Sequence, residues 1–187
     1  MVFKIRKKIR LKNYDYSDSG WYFVTICTKD NECLLGNIIN SKMVLNKHGD
    51  ITKRSWNEIP KYFKNVELDI FQIMPNHIHG IVVIKQNNVG VSFMKPETIM
   101  NISKSNRHMG LMNQTPTLGL IIRYFKSKCT YKIHKYYLLN NKIFQRNYYE
   151  HIIRNENELN KIRQYIRDNP MNWDEDEDNL KSKGGES

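Results

Sequence analysis

The chain has few cysteines and lacks a long apolar segment. Its three cysteines, Cys27, Cys33 and Cys129, are odd in number and have no C-x-x-C spacing. This pattern indicates neither a disulfide framework nor a zinc knuckle and fits a reducing compartment. No apolar run approaches the ~20 residues of a membrane-spanning helix, and no apolar signal core lies near the N-terminus. We therefore expect a soluble, cytoplasmic protein without a membrane partner.

Acidic residues are scarce outside the C-terminal end of the chain. The formal net charge of the 187 residues is +11. Six acidic residues against two lysines give residues 171–187 a net charge of −4, so residues 1–170 carry +15. This excess favours a polyanionic partner such as nucleic acid, although a basic surface can also be merely solvated. We predict one domain over residues 1–170 and an acidic, disordered tail over residues 171–187.

A pair of histidines begins an apolar segment at residues 77–84. The preceding Met-Pro-Asn suits a tight turn, because proline pre-sets its backbone angle and asparagine tolerates left-handed geometry. Side chains alternate along a strand, so His77 and His79 point to the same face. The segment is apolar on both faces, which predicts a central strand paired with residues 66–73. Two adjacent imidazoles can bind a metal, although histidine pairs also occur as hydrogen-bonded core residues.

Periodicity predicts further elements in the first half of the chain. Residues 21–28 are rich in aromatic and β-branched side chains and predict a first, buried strand. Residues 38–45 predict a small hairpin, and Asp50 is expected to cap a helix over residues 51–56. Residues 86–115 have no apolar period, and we interpret them as a long mobile loop.

Two helices and a strand are predicted in the second half. Residues 117–132 have an apolar stripe at helical spacing, and residues 143–153 contain the last strand. Asn155 can cap a final helix with Glu158 three residues later, and Pro170 marks its end.

The polar faces of these two helices carry candidate functional residues. The basic residues of the first helix are candidate DNA contacts, although helices expose lysine routinely: they are Arg123, Lys126, Lys128 and Lys132. On the final helix Lys161, Tyr165 and Asn169 are spaced i, i+4, i+8 and fall on one side.

The motifs together resemble a known family. Met-Pro-Asn-His-Ile-His-Gly at residues 74–80 and Tyr-Ile-Arg-Asp-Asn-Pro at residues 165–170 resemble the single-tyrosine HUH transposases, and most of all the REP-associated tyrosine transposases. Further matching stretches lie at residues 21–28, 45–46, 112–119 and 144–154. The resemblance covers roughly residues 10–173.

This resemblance implies a fold, a reaction and roles for individual residues. The fold would be α+β, a ferredoxin-like or RRM-like antiparallel sheet with packed helices and the HUH motif on a central strand. The reaction would cut and rejoin single-stranded DNA near hairpins through a covalent 5′-phosphotyrosine. His77 and His79 would bind a divalent cation, Mg²⁺ or Mn²⁺, Asn169 would complete the metal shell, and Tyr165 would be the nucleophile. The partner would be hairpin-bearing single-stranded DNA, with the protein acting as a monomer or homodimer.

Elementary chemistry explains why such a reaction needs these residue types. A phosphodiester is anionic, so a cation is needed to neutralise a non-bridging oxygen during attack. A phosphotyrosine conserves the bond energy, so one enzyme can cleave and religate. Tyrosine has an ordinary pKa near ~10, so at neutral pH it needs a nearby positive charge or base. Lys161 could supply that charge or clamp a phosphate, or it could be a solvated side chain.

Other interpretations of the sequence remain open. Tyr148 and Tyr149 are rival nucleophiles, and His151 could be a third metal ligand or a structural histidine. The protein could instead be a catalytically inactive module that binds single-stranded or hairpin nucleic acid. A phosphodiesterase with paired histidines is a further alternative, but such enzymes have two H-x-[ST] motifs and His-Ile-His at residues 77–79 has no such partner.

Overall fold

The computed structural model describes residues 18–85, 116–137 and 141–179. The predicted loop at residues 86–115 and the last residues of the predicted tail, 180–187, lie outside the described residues. The strands are β1 (Gly20–Cys27), β2 (Gly36–Ile39), β3 (Lys42–Leu45), β4 (Val66–Ile73), β5 (His77–Ile84) and β6 (Tyr149–Ile153). The α-helices are α1 (Lys47–Asn57), α2 (Ile59–Tyr62), α3 (Leu118–Tyr137) and α4 (Glu156–Asp168), and short 3-10 helices span Lys29–Asn31 and Trp173–Glu175.

Four of the strands form one antiparallel sheet in the order β4-β5-β1-β6. Together with α1 and α3 these strands follow the chain order β-α-β-β-α-β, which is the ferredoxin-like arrangement. The β2–β3 hairpin is inserted before α1. The prediction of an α+β ferredoxin-like fold with the histidine pair on a central strand is confirmed.

Helices cover both faces of this sheet. Even-numbered residues of β5, such as Ile78 and Val82, pack in one core with α1 and α3, in which Trp56 and Phe125 are fully buried. Odd-numbered residues of the same strand, such as Ile81, pack with the apolar face of α4. All eight residues of β5 are therefore buried. Apolar side chains at both odd- and even-numbered positions explain why β5 is a central strand covered on both faces.

Helix α1 begins earlier than the sequence predicted. Asn46 is its N-cap, with its side-chain oxygen accepting a hydrogen bond from Gly49 N at 3.0 Å, and the helix includes Asp50 in its first turn. Asn46 Nδ2 also donates to Leu34 O. Asn46 thus bonds both to the first turn of the helix and to the segment before the hairpin, and the cap falls there instead of at Asp50.

The prediction of a disordered tail is wrong for residues 171–179. Asp178 and Asn179 are buried, with 5% and 4% of their surface exposed. Asn179 Nδ2 donates to Trp173 O, and Asn76 Nδ2 donates to Asp178 O across the molecule. These hydrogen bonds satisfy the polar groups that are buried in this segment. The number of acidic residues in the segment had instead predicted that it is solvated.

Candidate active site

The two histidines lie side by side beneath the C-terminal end of α4. His77 and His79 are 0% and 1% exposed, and their Nε2 atoms are 3.0 Å apart. They share a face because β5 alternates, and β1 places Thr25 opposite His79 in register. The structure thus brings the two imidazoles together, as the alternation along the strand predicted.

Each imidazole has a polar partner on its other ring nitrogen. His77 Nδ1 lies 2.8 Å from Asn76 Oδ1, and His79 Nδ1 lies 2.9 Å from Thr25 Oγ1. Such partners fix the orientation of the ring and direct the opposite nitrogen, here Nε2, towards the site.

Helix α4 brings Tyr165 and Asn169 to the same place. The Tyr165 hydroxyl lies 3.3 Å from His79 Nε2, and its ring packs edge-on against Phe23. Asn169 is helical in backbone conformation and follows Tyr165 by one turn, so the two side chains share a face. Asn169 Oδ1 is buried and has no hydrogen-bond partner of standard geometry among the described residues.

A carboxylate that the sequence analysis did not select completes the cluster. Asp176 Oδ2 lies 3.8 Å from His77 Nε2. One ligand atom from each of His77, His79 and Asp176 lies within 4.8 Å of the others. The sequence predicted an acidic, disordered tail. Trp173 is an apolar signal that this segment packs, and its ring lies 6.0 Å from that of His77.

Burial sets the protonation of the site. Desolvation lowers the pKa of His77 to about 4, against the opposing effects of the Asp178 charge and a contact with Asn169. Burial, and then the neighbouring His77, lowers the pKa of His79 well below its ordinary value. Both imidazoles are therefore neutral at physiological pH, which is the form that binds a metal.

The phenol of Tyr165 is held in its protonated form. Burial raises its pKa, and the negative charges of Asp176 and Asp178 raise it further, whereas a contact with Asn169 lowers it. Lys161, which the sequence offered as an activating charge, is an exposed residue of α4. A cation bound at this place would offset the negative charge of these carboxylates.

The donor set fits a divalent cation. Two imidazole nitrogens 3.0 Å apart have the separation of adjacent ligands around an ion with metal–nitrogen distances of about 2.1 Å. The Asp176 carboxylate adds an oxygen ligand at the same place. The His77, His79 and Asp176 cluster can hold a metal ion.

The alternative site residues lie elsewhere or are occupied. His151 Nε2 lies 2.7 Å from Glu158 Oε1 at the start of α4, about 16 Å along the helix from Asn169. Tyr149 lies opposite Thr25, one strand further from His79, and burial raises its pKa. Tyr148 packs at the edge of the core beneath α3.

The predicted DNA contacts on α3 differ in their bonding partners and in their exposure. Lys132 donates to Glu58 Oε2 at 2.8 Å and lowers the pKa of that carboxyl, and Lys128 bonds to the Tyr62 hydroxyl over its ring. Lys126 donates to three backbone carbonyls at residues 145–147, and burial lowers its pKa to about 8. Arg123 is exposed and lines an open groove of about 950 Å³ between α3 and residues 142–148.

Comparison with known proteins identifies the class of fold. A solved structure described as a REP-associated tyrosine transposase bound to a REP hairpin aligns with a TM-score of 0.55 and 16% identity, over 90% of this chain and 74% of that chain. At this identity the likeness establishes the fold alone, which this chain shares with that transposase.

A sequence relative defines the family. An uncharacterized protein of Haemophilus influenzae is 41% identical over 175 residues, which are 92% of each chain. The chain belongs to the same protein family as this relative. A scan against protein-family models finds no match. None of the helices in the described ranges is long and apolar enough to cross a membrane.

Proposed function

We propose that the protein is a metal-dependent single-stranded DNA endonuclease and strand transferase that cleaves and rejoins DNA near hairpins. The observation that carries this proposal is the Tyr165 hydroxyl, 3.3 Å from His79 Nε2 and beside the His77, His79 and Asp176 cluster. A nucleophilic oxygen next to a metal-binding cluster is the arrangement that phosphoryl transfer requires. The fold shared with a hairpin-bound transposase gives the proposal its substrate class.

His77, His79, Asp176 and Asn169 would hold the cation. A mixture of imidazole, carboxylate and amide donors suits Mn²⁺ or Mg²⁺ better than a softer metal. When bound, the cation neutralises phosphate and phenolate charge at the site. Without it, Asp176 and Asp178 would repel a DNA phosphate, so we expect cleavage to require the metal.

Tyr165 would carry the covalent step. Its oxygen attacks phosphorus, the tyrosine O–P bond forms and the bond from phosphorus to the DNA 3′ oxygen breaks. Overall the phenolic proton passes to the departing 3′ oxygen, which leaves a 3′-hydroxyl and a 5′-phosphotyrosine. The ring is oriented by Phe23 and His79, and α4 holds it there through its buried face. Attack by the 3′-hydroxyl of another strand reverses the step and joins the DNA.

We further propose that exposed basic side chains bind the DNA backbone. Arg123 and Lys161 are exposed on α3 and α4, whereas Lys126, Lys128 and Lys132 already bond within the protein. Arg123 shares its groove with the exposed Lys142 and Arg146. This groove is a stronger candidate for phosphate contacts than Lys128 and Lys132, because its exposed cations are available to bind.

The test is the capture of a covalent adduct. The protein is incubated with Mn²⁺ and a DNA hairpin with randomised single-stranded flanks, labelled at its 3′ end in one sample and at its 5′ end in another. We expect the 3′ label to migrate with the denatured protein and the 5′ label to migrate as a shortened free strand. Tyr165→Phe removes the oxygen but keeps the ring packing, so this variant should fold, bind DNA and form no adduct.

Tyr149→Phe is the matched control, because Tyr149 lies on the same face of the sheet as His79, on β6, with β1 between them. It should keep the adduct, and mass spectrometry should place the DNA on Tyr165. An adduct on Tyr148 or Tyr149 would overturn the assignment of the nucleophile. Hairpin binding without an adduct under any metal would support the inactive binding module instead. Cleavage without an adduct would support the phosphodiesterase.

A further inference from the structure

The side chain of Asn76 makes three hydrogen bonds from a buried position next to the metal-binding cluster. Asn76 is 1% exposed. Its Nδ2 donates to Asn31 O at 3.1 Å and to Asp178 O at 2.6 Å, and its Oδ1 lies 2.8 Å from His77 Nδ1. These three partners come from three separate segments of the chain.

The two backbone partners fix the direction of the amide. A carbonyl oxygen can only accept, so the group facing Asn31 O and Asp178 O must be the NH₂ of Asn76. The opposite orientation would place three oxygens together without a proton between them. The group facing His77 is therefore Oδ1, which can only accept.

We infer that Asn76 is a positioning residue that holds the proton of His77 on Nδ1 and leaves Nε2 with its lone pair directed into the site. An amide oxygen accepts only if the facing ring nitrogen carries a hydrogen. The consequence for metal binding rests on the proposed function, whereas the tautomer of His77 does not.

His79 is held less strictly. Its Nε2 lies 3.0 Å from His77 Nε2 and 3.3 Å from the Tyr165 hydroxyl, so it can donate to the first or accept from the second. Its Nδ1 lies 2.9 Å from the Thr25 hydroxyl, which can rotate to donate or to accept. Asn76 thus fixes the tautomer of His77, whereas the partners of His79 allow either tautomer.

Asn76 also links the acidic segment to the histidines. Its bond to Asp178 O ties residues 173–179 to the turn before β5, and Asp176 lies within that segment. One side chain therefore orients His77 and helps to place the carboxylate opposite it.

Three variants separate positioning from general stability. Asn76→Ala removes all three bonds. Asn76→Asp keeps an acceptor towards His77 Nδ1 and loses both donors. Thr28→Val is the matched control, because the Thr28 hydroxyl lies 2.9 Å from Asn76 O and 2.7 Å from Glu32 O and donates to these backbone carbonyls, not to a histidine.

The first measurement is the tautomer of His77, from long-range ¹⁵N–¹H NMR spectra of the metal-free protein. We expect the Nδ1–H form in the wild type, Thr28→Val and Asn76→Asp, and a mixture of forms in Asn76→Ala. An Nε2–H form of His77 in the wild type would overturn the inference, and this result does not depend on any variant folding.

The second measurement is the dissociation constant of Mn²⁺ by titration calorimetry. Asn76→Ala should weaken Mn²⁺ binding by about 10–100-fold, as loss of a residue that orients a ligand does. Thr28→Val should change it by less than about threefold. Equal weakening in both variants would show that Asn76 is only structural. Neither measurement uses DNA, so a failure of the proposed cleavage would leave both results intact.

Discussion

Gly80 follows the histidines directly, and its position is constrained from the opposite face of β5. A methyl group at residue 80 would lie 2.5 Å from Trp56 Cζ2 and 3.2 Å from Phe71 Cβ. Trp56 of α1 is fully buried and packs edge-on against Phe125 of α3. The close packing of Trp56 on Gly80 therefore helps to set the position of the adjacent His79.

Gly80→Ala should destabilise the fold by about 1–3 kcal/mol, because the added methyl overpacks the core. Urea unfolding measures the loss. Gly20→Ala is the control, since a methyl there would meet nothing closer than the Tyr22 ring at 3.5 Å. Equal stability of the two variants would show that Trp56 can move aside.

Helix α4 is the element that positions Tyr165, and its first turn is held by two capping hydrogen bonds. Asn155 Oδ1 accepts from Glu158 N at 2.9 Å, and Glu158 Oε2 accepts from Arg154 N at 2.8 Å. The hydrogen bond from Arg154 N and then His151 lower the pKa of Glu158. The carboxylate is thus stabilised in the folded protein by groups that are free in the unfolded chain.

The pH dependence of stability should reflect this carboxylate. Because the folded pKa of Glu158 lies below its ordinary value of 4.5, its contribution is complete above about pH 4.5 and is lost as pH falls through the lower folded value. Glu158→Gln should therefore lower stability at neutral pH and reduce the loss of stability between about pH 6 and about pH 3. Urea unfolding across that range measures both effects.

Glu156→Gln is the comparison, because it removes a carboxylate from the same turn and leaves the Glu158 bonds in place. An acid-range slope in Glu158→Gln as steep as that of the wild type would rule out the capping carboxylate as its source.

The charge of the whole molecule is distributed between internal ion pairs and exposed cations. The net charge is +11, but Lys128 and Lys132 both lie near Glu58. Of the basic residues that line the groove, Arg123, Lys142 and Arg146 are exposed. A count of basic residues on a helical face therefore overstates the charge available to DNA.

The dependence of DNA affinity on salt should distinguish the two groups of cations. Arg123→Ala with Arg146→Ala should flatten the slope of log affinity against log salt by about 1.4, at ~0.7 per single-strand phosphate contact. Lys132→Ala should leave the slope unchanged and lower stability through the loss of its Glu58 partner. Fluorescence anisotropy with a labelled hairpin oligonucleotide measures the slopes. A flatter slope in Lys132→Ala alone would show that DNA binds to the other side of α3.

Much of the site followed from local periodicity. Alternation along residues 77–84 was enough to place His77 and His79 on one face, and one helical turn was enough to align Tyr165 with Asn169. The predicted capping pair of Asn155 and Glu158 is confirmed, because a cap depends on residues three apart. These features depend on backbone geometry alone, so no knowledge of distant contacts was needed.

Other parts of the site depend on contacts between distant segments. Asp176 belongs to the site because residues 173–179 fold back onto the turn before β5, through an Asn76–Asp178 bond that spans 102 residues. Lys132 is paired because Glu58 lies 74 residues away in sequence and beside it in space. A charge pattern along the chain shows composition and spacing. The partner of a charged side chain is set by chain folding. That partner determines whether the charge binds a metal, DNA or another side chain.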